Sequence, residues 1–378
     1  MIEPEHKKRI KLMFLVGSLG TGGAERFVAN ALEMLPRDRF ELSVALYRSD
    51  YAYGIPQEVL VTVLEKYKSW DNIRASMKFA HWINQIKPDV LISAWSIPNV
   101  FAAETLRWTR HKPVWIARIA NDPTREESGV YGWWAKRSYL KAGHFISVSS
   151  ELTEVFIKRY PFVKGRVSTV HNAVDCGVLE ARSKGEVEFP KEMREAIQGG
   201  LPIILSTGRL EPQKRFDLLL RAYARLDTNV KLLLVILGEG SLRNDLEKLA
   251  LDLGIEDSVL LPGFVLNPYA WLVKATIFVS CSDYEGMSNA LLEAQALGVP
   301  AVATDCFFGN AEIIVDGVTG ILIETGNEDQ LVEELNELIG SDGRRNKMGR
   351  SARVNVQQNH TSDNQMKSIC QLIDDVLV

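Results

Sequence analysis

Glu285 and Glu293 stand eight residues apart in the stretch Ser280 to Pro300, Ser-Cys-Ser-Asp-Tyr-Glu-Gly-Met-Ser-Asn-Ala-Leu-Leu-Glu-Ala-Gln-Ala-Leu-Gly-Val-Pro. A carboxylate accepts hydrogen bonds from two neighbouring hydroxyls, the arrangement that a hexose or ribose diol offers. The apolar run Ala275 to Val279 reads as a buried strand, and the chain then turns through Gly286 into a helix that stops at Gly298 and Pro300. With a rise of ~1.5 Å per residue, the second carboxylate lies roughly 12 Å beyond the first, room for one sugar-phosphate unit. The amides of Met287, Ser288 and Asn289 open that helix and can donate to polar or anionic groups. No Glu or Gln follows three residues after Ser288 or Asn289 to close a capping box, which leaves those donors for a ligand. A loop acid and a helix acid joined in a surface salt bridge would show the same spacing.

Arg209 and Lys214 supply the opposite charge. They lie in Gly208-Arg209-Leu210-Glu211-Pro212-Gln213-Lys214, between an apolar run, Leu201 to Thr207, and a helical pattern, Phe216 to Leu226. A strand end with two cations five apart can hold a diphosphate, each charge-assisted hydrogen bond contributing ~1.5 to 3 kcal/mol. Arginine offers a planar fork and lysine a point charge; a surface salt-bridge pair is the alternative. Near the start, Ile10 to Val16 reads as a strand, followed by Gly17-Ser18-Leu19-Gly20-Thr21-Gly22-Gly23 and a helical pattern from Ala24 to Leu35. Such a loop lets backbone amides approach a phosphate or a sugar with no Cβ in the way. The spacing is not Gly-x-Gly-x-x-Gly, which argues against a dinucleotide site and leaves a plain tight turn open.

The segment around Glu285 resembles the Glu-x7-Glu signature of the retaining nucleotide-sugar glycosyltransferases with the GT-B fold, the "glycosyl transferases group 1" family. That resemblance implies that Glu285 approaches the hydroxyls of the donor sugar and Glu293 the nucleotide ribose. Gly286, Met287, Ser288 and Asn289 then lie at the donor, with Ser288 where proline is common. Gly208 to Lys214 matches the family's Gly-Arg-Leu-x4-Lys, so its catalytic roles carry to Arg209 and Lys214 beside Glu285. Leu260 to Val265 is similar to the strand edge that takes the base through main-chain groups, which points to Gly263, Phe264 and Val265; core packing of Phe264 is equally open. Gly22 to Arg26 resembles the N-terminal loop of bacterial members, with Gly22 and Gly23 on the donor side and Glu25 and Arg26 on the acceptor side. Arg118-Ile119-Ala120-Asn121-Asp122-Pro123 resembles a Ser-Glu-Arg-Asn-Asp-Pro string with its Glu and Arg replaced, and assigns Arg118 and Asn121 to the acceptor side.

These residues need parallel sheets to bring them to strand ends. Leu42 to Leu46, Val90 to Ser93, Val114 to Ala117, Phe145 to Val148 and Val167 to Val170 read as strands, with helices Asp71 to Ile86, Asn99 to Arg107 and Ser150 to Tyr160 between them. Leu232 to Leu237, Pro300 to Thr304 and Gly320 to Ile323 continue the pattern in the second half. The expected organisation is α/β, two Rossmann-like domains: residues 1–175, acceptor-binding; a linker at 176–200; residues 201–362, nucleotide-sugar-binding; and a terminal helix, 363–378, which the resemblance implies packs back on the first domain. His171-Asn172-Ala173-Val174-Asp175 is similar to the family's Asn-x-Val-Asp crossover.

A chain of 378 residues suits two such domains. No apolar run reaches the ~18 residues that span a bilayer, and Met1 to Lys11 is charged with no signal-peptide core behind it, so a cytoplasmic protein is expected. Cys176, Cys281, Cys306 and Cys370 show neither metal-ligand nor disulfide spacing. The net charge of −4 is unevenly spread: residues 1–175 carry 25 Lys/Arg against 18 Asp/Glu, and residues 176–378 carry 19 against 30. A basic first half suits contact with an anionic surface. Trp133, Trp134, Lys136, Arg137 and Lys141, with Arg107, Trp108, Arg110 and Lys112, interleave aromatic and basic side chains as a peripheral membrane face does, although aromatics packed in the core would fit equally well. A nucleic-acid partner is not expected.

The family resemblance implies retention at the anomeric carbon, by same-face attack with the departing phosphate accepting the proton. No Asp-x-Asp pair stands at a strand end, Asp374-Asp375 lying in the last helix, so metal-independent transfer is expected, with no cofactor and the nucleotide sugar as substrate. The expected reaction moves a hexose or N-acetylhexosamine from a nucleotide sugar, most often UDP-linked in bacterial members, to a lipid-linked glycan or polysaccharide precursor at the inner membrane face. An epimerase or hydrolase of the same fold would need cleft acids beyond Glu285 and Glu293. A non-catalytic nucleotide-sugar-binding protein would find support only in the altered Arg118 to Pro123 string.

Overall fold

The computed structural model describes residues 8–20, 22–51, 54–127, 129–227 and 231–378. The chain forms two units, Met1–Asn172 with Ser362–Val378, and Ala173–Thr361. Each is built on one parallel sheet.

In the first unit the strands are β1 (Ile10–Val16), β2 (Phe40–Leu46), β3 (Leu60–Val63), β4 (Val90–Ala94), β5 (Val114–Ile119), β6 (His144–Ser147) and β7 (Val167–Thr169). They lie in the order β3-β2-β1-β4-β5-β6-β7. The order reverses direction at β1, which pairs with β2 on one side and β4 on the other. In doubly wound sheets ligands settle outside the carboxyl ends of the strands at such a reversal. Its central strands are apolar on both faces because helices cover both: Leu12 to Leu15 and Val90 to Ile92 are fully buried. The short edge strand Leu60–Val63 is half exposed, and sequence patterning did not anticipate it.

The final helix, Ser362–Leu377, belongs to this first unit. Met366, Ile369, Leu372 and Ile373 recur at helical spacing and sit in the same core as Phe27, Val28 and Ala31 of the helix Gly23–Met34. Gln365 Nε2 donates to His171 O at 2.6 Å, and Arg39 Nη2 donates to Cys370 O at 3.0 Å.

The second unit contains β8 (Ile203–Thr207), β9 (Leu233–Leu237), β10 (Val259–Gly263), β11 (Ile277–Ser280), β12 (Ala301–Thr304) and β13 (Ile321–Ile323), in the order β10-β9-β8-β11-β12-β13. Residues 176–200, expected as a linker, form two helices, Cys176–Ser183 and Lys191–Gly199, inside this unit. Asp175 caps the first by accepting the N–H of Val178 at 2.8 Å, and Phe189 packs edge-on against the buried Trp271 at 5.0 Å. The density of charged residues hid these helices, since only one face of each is covered. Val174 and Thr361 bridge in parallel, so the chain enters and leaves the unit side by side. All four cysteines are free thiols.

Candidate functional site

In the second unit the loops after β8, β11 and β12 converge at the carboxyl edge of the sheet. β8 leads into Gly208 to Lys214. That loop is seated on the one after β9: Leu210 N–H donates to Glu239 O at 2.9 Å, and Leu242 N–H to Leu210 O at 2.9 Å. Gly238 has φ +141, and a Cβ there would strike Gly208 O, so this crossing of two backbones requires glycine.

The loop after β11 carries Ser282 to Asn289. Gln213 binds it twice, its main-chain oxygen accepting from Asp283 N–H at 2.9 Å and its Nε2 donating to Tyr284 O at 2.7 Å. Arg215, in the left-handed region at φ +50, reaches Asp283 Oδ1 at 3.0 Å and Asp217 Oδ1 at 3.1 Å. Hydrogen bonds to Asp217, more than those to Asp283, raise its pKa above the usual arginine value, so it stays charged.

Lys214 Nζ donates to Glu285 Oε1, and Ser282 Oγ donates to the same oxygen at 2.7 Å. The expected diphosphate cation and the expected sugar acid are thus brought together as a pair, 17% and 11% exposed. Arg209 is exposed and makes no ion pair among the described residues. Gly286 and Met287 are buried beneath the loop after β12, in which Phe308 (φ +72) and Gly309 (φ +101) both take left-handed backbone. Glu285 N–H donates to Phe307 O at 3.2 Å.

The helix Asn289–Ala296 begins with Ser288 as cap, its Oγ accepting from Leu291 N–H at 3.4 Å. The serine therefore satisfies a third-position donor, a cap that does not need the Glu or Gln of a capping box. The first-turn amides of Asn289 and Ala290 have no acceptor within the helix, as at any helix start. Glu293 lies in this helix, 5% exposed. At the other edge β10 and β9 lose register between Leu260 and Gly263, where Gly263 has φ +85. Phe264 follows, 53% exposed, which rules out the core-packing alternative.

In the first unit the loop after β1 ends at Gly22, the N-cap of the helix Gly23–Met34, with Glu25 folded back over it so that a Cβ on Gly22 would strike its carboxylate. Arg26 is half-buried on the same turn, and Asn121 is half-buried after β5. Arg118, the fifth residue of β5, is 1% exposed. Its guanidinium stacks over Phe27 at 4.4 Å and Nη2 donates to Asn172 Oδ1 at 2.8 Å, while Nε and Nη1 have no hydrogen-bond partner among the described residues. Burial, opposed by the charge of Glu25, lowers its pKa to about 10. Asp122 caps the short helix Pro123–Glu126 by accepting the N–H of Thr124 at 2.8 Å, so the string Arg118 to Pro123 is a strand end running into a helix start.

Trp133 is 57% exposed on the helix Gly129–Tyr139, edge-on to Trp134 at 5.3 Å and under Arg137 at 5.6 Å. They do not pack in the core. Trp108 is also exposed, as are Trp70 in the turn Ser69–Asp71 and Ile73 and Met77 on the helix that follows it, Asn72–Ile86, which the sequence did not single out as a surface. Among the described residues no helix is long and apolar enough to cross a membrane, and no cluster of three His, Cys, Asp or Glu side chains is placed to hold a metal ion.

Comparison with known proteins gives a consistent family. The model of "Glycosyl transferases group 1" matches residues 189–355 and that of "Glycosyltransferase Family 4" matches 21–178. The chain is 30% identical over 346 residues to an N-acetylgalactosamine-N,N'-diacetylbacillosaminyl-diphospho-undecaprenol 4-alpha-N-acetylgalactosaminyltransferase of Campylobacter jejuni, covering 88% of this chain and 91% of that protein. A lipopolysaccharide core biosynthesis glycosyltransferase of Rhizobium meliloti is 26% identical over 86% of this chain and 88% of its own. Among solved structures, Anabaena HepE in complex with UDP-glucose superposes with a TM-score of 0.81 at 18% identity, over 97% of this chain and 100% of that one. Sucrose-phosphate synthase from Thermosynechococcus elongatus gives 0.80 at 15% identity, over 97% and 99%.

Proposed function

The chain belongs to the glycosyl transferases group 1 family and is a glycosyltransferase of GT-B fold, and from that premise we propose that it moves a hexose or N-acetylhexosamine, with retention, from a UDP sugar to a lipid-linked glycan or polysaccharide precursor. The observation that carries this reading is the constellation at the edge of the second sheet: a carboxylate, Glu285, bonded to Lys214 and set before the start of the helix Asn289–Ala296. Breaking a nucleotide-sugar bond develops negative charge on the leaving diphosphate. Lys214 has two ammonium protons beyond the one given to Glu285, Arg209 is exposed with its fork unspent among the described residues, and the first-turn amides add the positive end of a helix. Donors already in position stabilise such charge without reorganisation.

In this reading Glu285 receives a hydroxyl of the donor sugar, Glu293 the ribose, and Gly263 to Val265 the base. The acceptor hydroxyl attacks from the face the diphosphate leaves, and the diphosphate takes its proton. Gly22 and Gly23 meet the donor, while Glu25, Arg26, Arg118 and Asn121 serve the acceptor side. No metal takes part.

The names of two Campylobacter jejuni relatives specify diphospho-undecaprenol-linked acceptors. An acceptor of that kind fits the surplus of basic residues in 1–175 and the outward Trp133, Trp134 and Arg137, which support peripheral contact with the anionic cytoplasmic face of a membrane. The test is a panel of UDP and GDP sugars, scored first by thermal shift and then by transfer to a polyprenyl-diphosphate-linked glycan. A ligand at 100 times its dissociation constant raises stability by ~2.7 kcal/mol. Binding with release of free sugar and no transfer would point to a hydrolase, and no binding at all would remove the reading.

A further inference from the structure

We propose that Ser282, which no motif singles out, is a positioning residue for Glu285, fixing its carboxylate so that Oε2 alone meets the donor sugar. The inference rests on the reading of this site as a nucleotide-sugar pocket. Glu285 Oε1 accepts from both Lys214 Nζ and Ser282 Oγ, the latter at 2.7 Å. A carboxylate oxygen offers two lone pairs, and here both are taken. Among the described residues nothing donates to Oε2. The sugar is therefore held through the single open oxygen, Oε2.

The serine is set independently of its hydroxyl. It is buried, and its main-chain oxygen accepts from Thr304 Oγ1 at 2.6 Å at the end of β12. Thr304 O in turn accepts from Asn310 Nδ2 at 3.0 Å. Asp283 and Tyr284 are tied to Gln213, and Glu285 N–H to Phe307 O at 3.2 Å. Removing the Ser282 hydroxyl thus leaves the backbone of residues 282–285 in place and frees one motion, rotation of the Glu285 carboxylate. A freed carboxylate turns both oxygens to the Lys214 ammonium and withdraws Oε2 from the sugar.

The experiment uses the full chain with Ser282→Ala, Glu285→Gln and the double variant, each titrated with UDP and with the UDP sugar that the wild type binds best, alongside transfer kinetics. Ser282→Ala is expected to leave UDP affinity as it is, while kcat and the extra affinity for the UDP sugar over UDP fall roughly ten- to a hundred-fold. In the Glu285→Gln background Ser282→Ala is expected to add nothing, because the serine acts only through the carboxylate. An unchanged kcat and affinity gap in Ser282→Ala, a parallel fall in UDP affinity, or additive losses in the double variant would each overturn the inference while leaving the function reading standing. A wild type that binds no nucleotide sugar would remove both.

Discussion

Lys214 and Glu285, 71 residues apart in sequence, form an ion pair in which the ammonium donates to Oε1 of a carboxylate that also accepts from Ser282. The side chain expected to hold the diphosphate and the one expected to meet the donor sugar are thus one electrostatic unit. The pair lies largely out of solvent, where leaving one charge alone is costly. Lys214→Met should lower stability by about 3 kcal/mol, and Lys214→Met with Glu285→Gln should recover most of that loss. Neither should transfer sugar. Denaturant melts and transfer rates on the two variants separate stability from chemistry; recovery of both together would mean that the pair is only structural.

Arg209 gives the opposite profile. It is exposed and unpaired among the described residues, so Arg209→Ala should stay within ~0.5 kcal/mol of the wild type in stability. A lost charge-assisted contact to the diphosphate should weaken UDP binding ten-fold or more, since such a bond contributes ~1.5 to 3 kcal/mol. Calorimetric titration with UDP measures it. Equal affinity in the variant would take Arg209 out of the clamp.

Arg118 is a buried cation whose Nε and Nη1 find no partner among the described residues. Burial lowers its pKa to about 10, so the charged form is disfavoured in the folded state. Arg118→Met should therefore hold or raise stability at pH 7 while reducing transfer. Above about pH 10 and below the ordinary arginine range the unfolded chain binds the proton more tightly, so wild-type stability relative to Arg118→Met rises as pH passes through about 10. Paired thermal melts across pH check it. A Met variant several kcal/mol less stable at pH 7 would show that Arg118 is held for packing.

Trp133 and Trp134 with Arg137 over the first ring give an outward surface on the first unit. Sedimentation with anionic vesicles should pull down the wild type, less so with Trp133→Ser and Trp134→Ser, and less still at high salt, each basic side chain near the surface contributing ~1 kcal/mol. Equal binding to neutral vesicles would remove the electrostatic part of that proposal.

Much of this was readable from residues alone because buried parallel strands are continuous apolar runs: β1 is found at Ile10–Val16 and β9 within one residue of its expected start. The edge strand Leu60–Val63 carries no such signal, since two of its four residues are exposed and the third is a threonine. Motif spacing located Glu285 and Lys214, yet said nothing of their contact, which depends on β8 and β11 being neighbours in the sheet. Gln213 and Arg215 went unnoticed for the same reason, since each acts across that junction, and Ser282 because its bond to Glu285 depends on how the loop after β11 folds. The one local signal was a serine three residues before Glu285.

Gly309 offers the sharpest separation of backbone placement from global stability. A Cβ there would lie 2.5 Å from Gly286 O and 2.9 Å from Met287 Cα, and its φ of +101 is outside the range of L side chains. Gly309→Ala must therefore push the loop after β12 away from the Glu285 turn, dragging Phe307 O from the Glu285 N–H that it holds at 3.2 Å. Gly317 is the control, at φ +71 with nothing within 4 Å of an added Cβ, so alanine there meets backbone strain of about 1 kcal/mol and no clash. Gly309→Ala should lose transfer and the preference for UDP sugar over UDP by more than ten-fold, an effect far beyond a 1 kcal/mol strain term, which is less than ten-fold. Gly317→Ala should keep both. Kinetics and UDP-sugar titrations on the two variants decide it, and equal behaviour of the pair would mean that the packing of this loop on the Glu285 turn does not set the site.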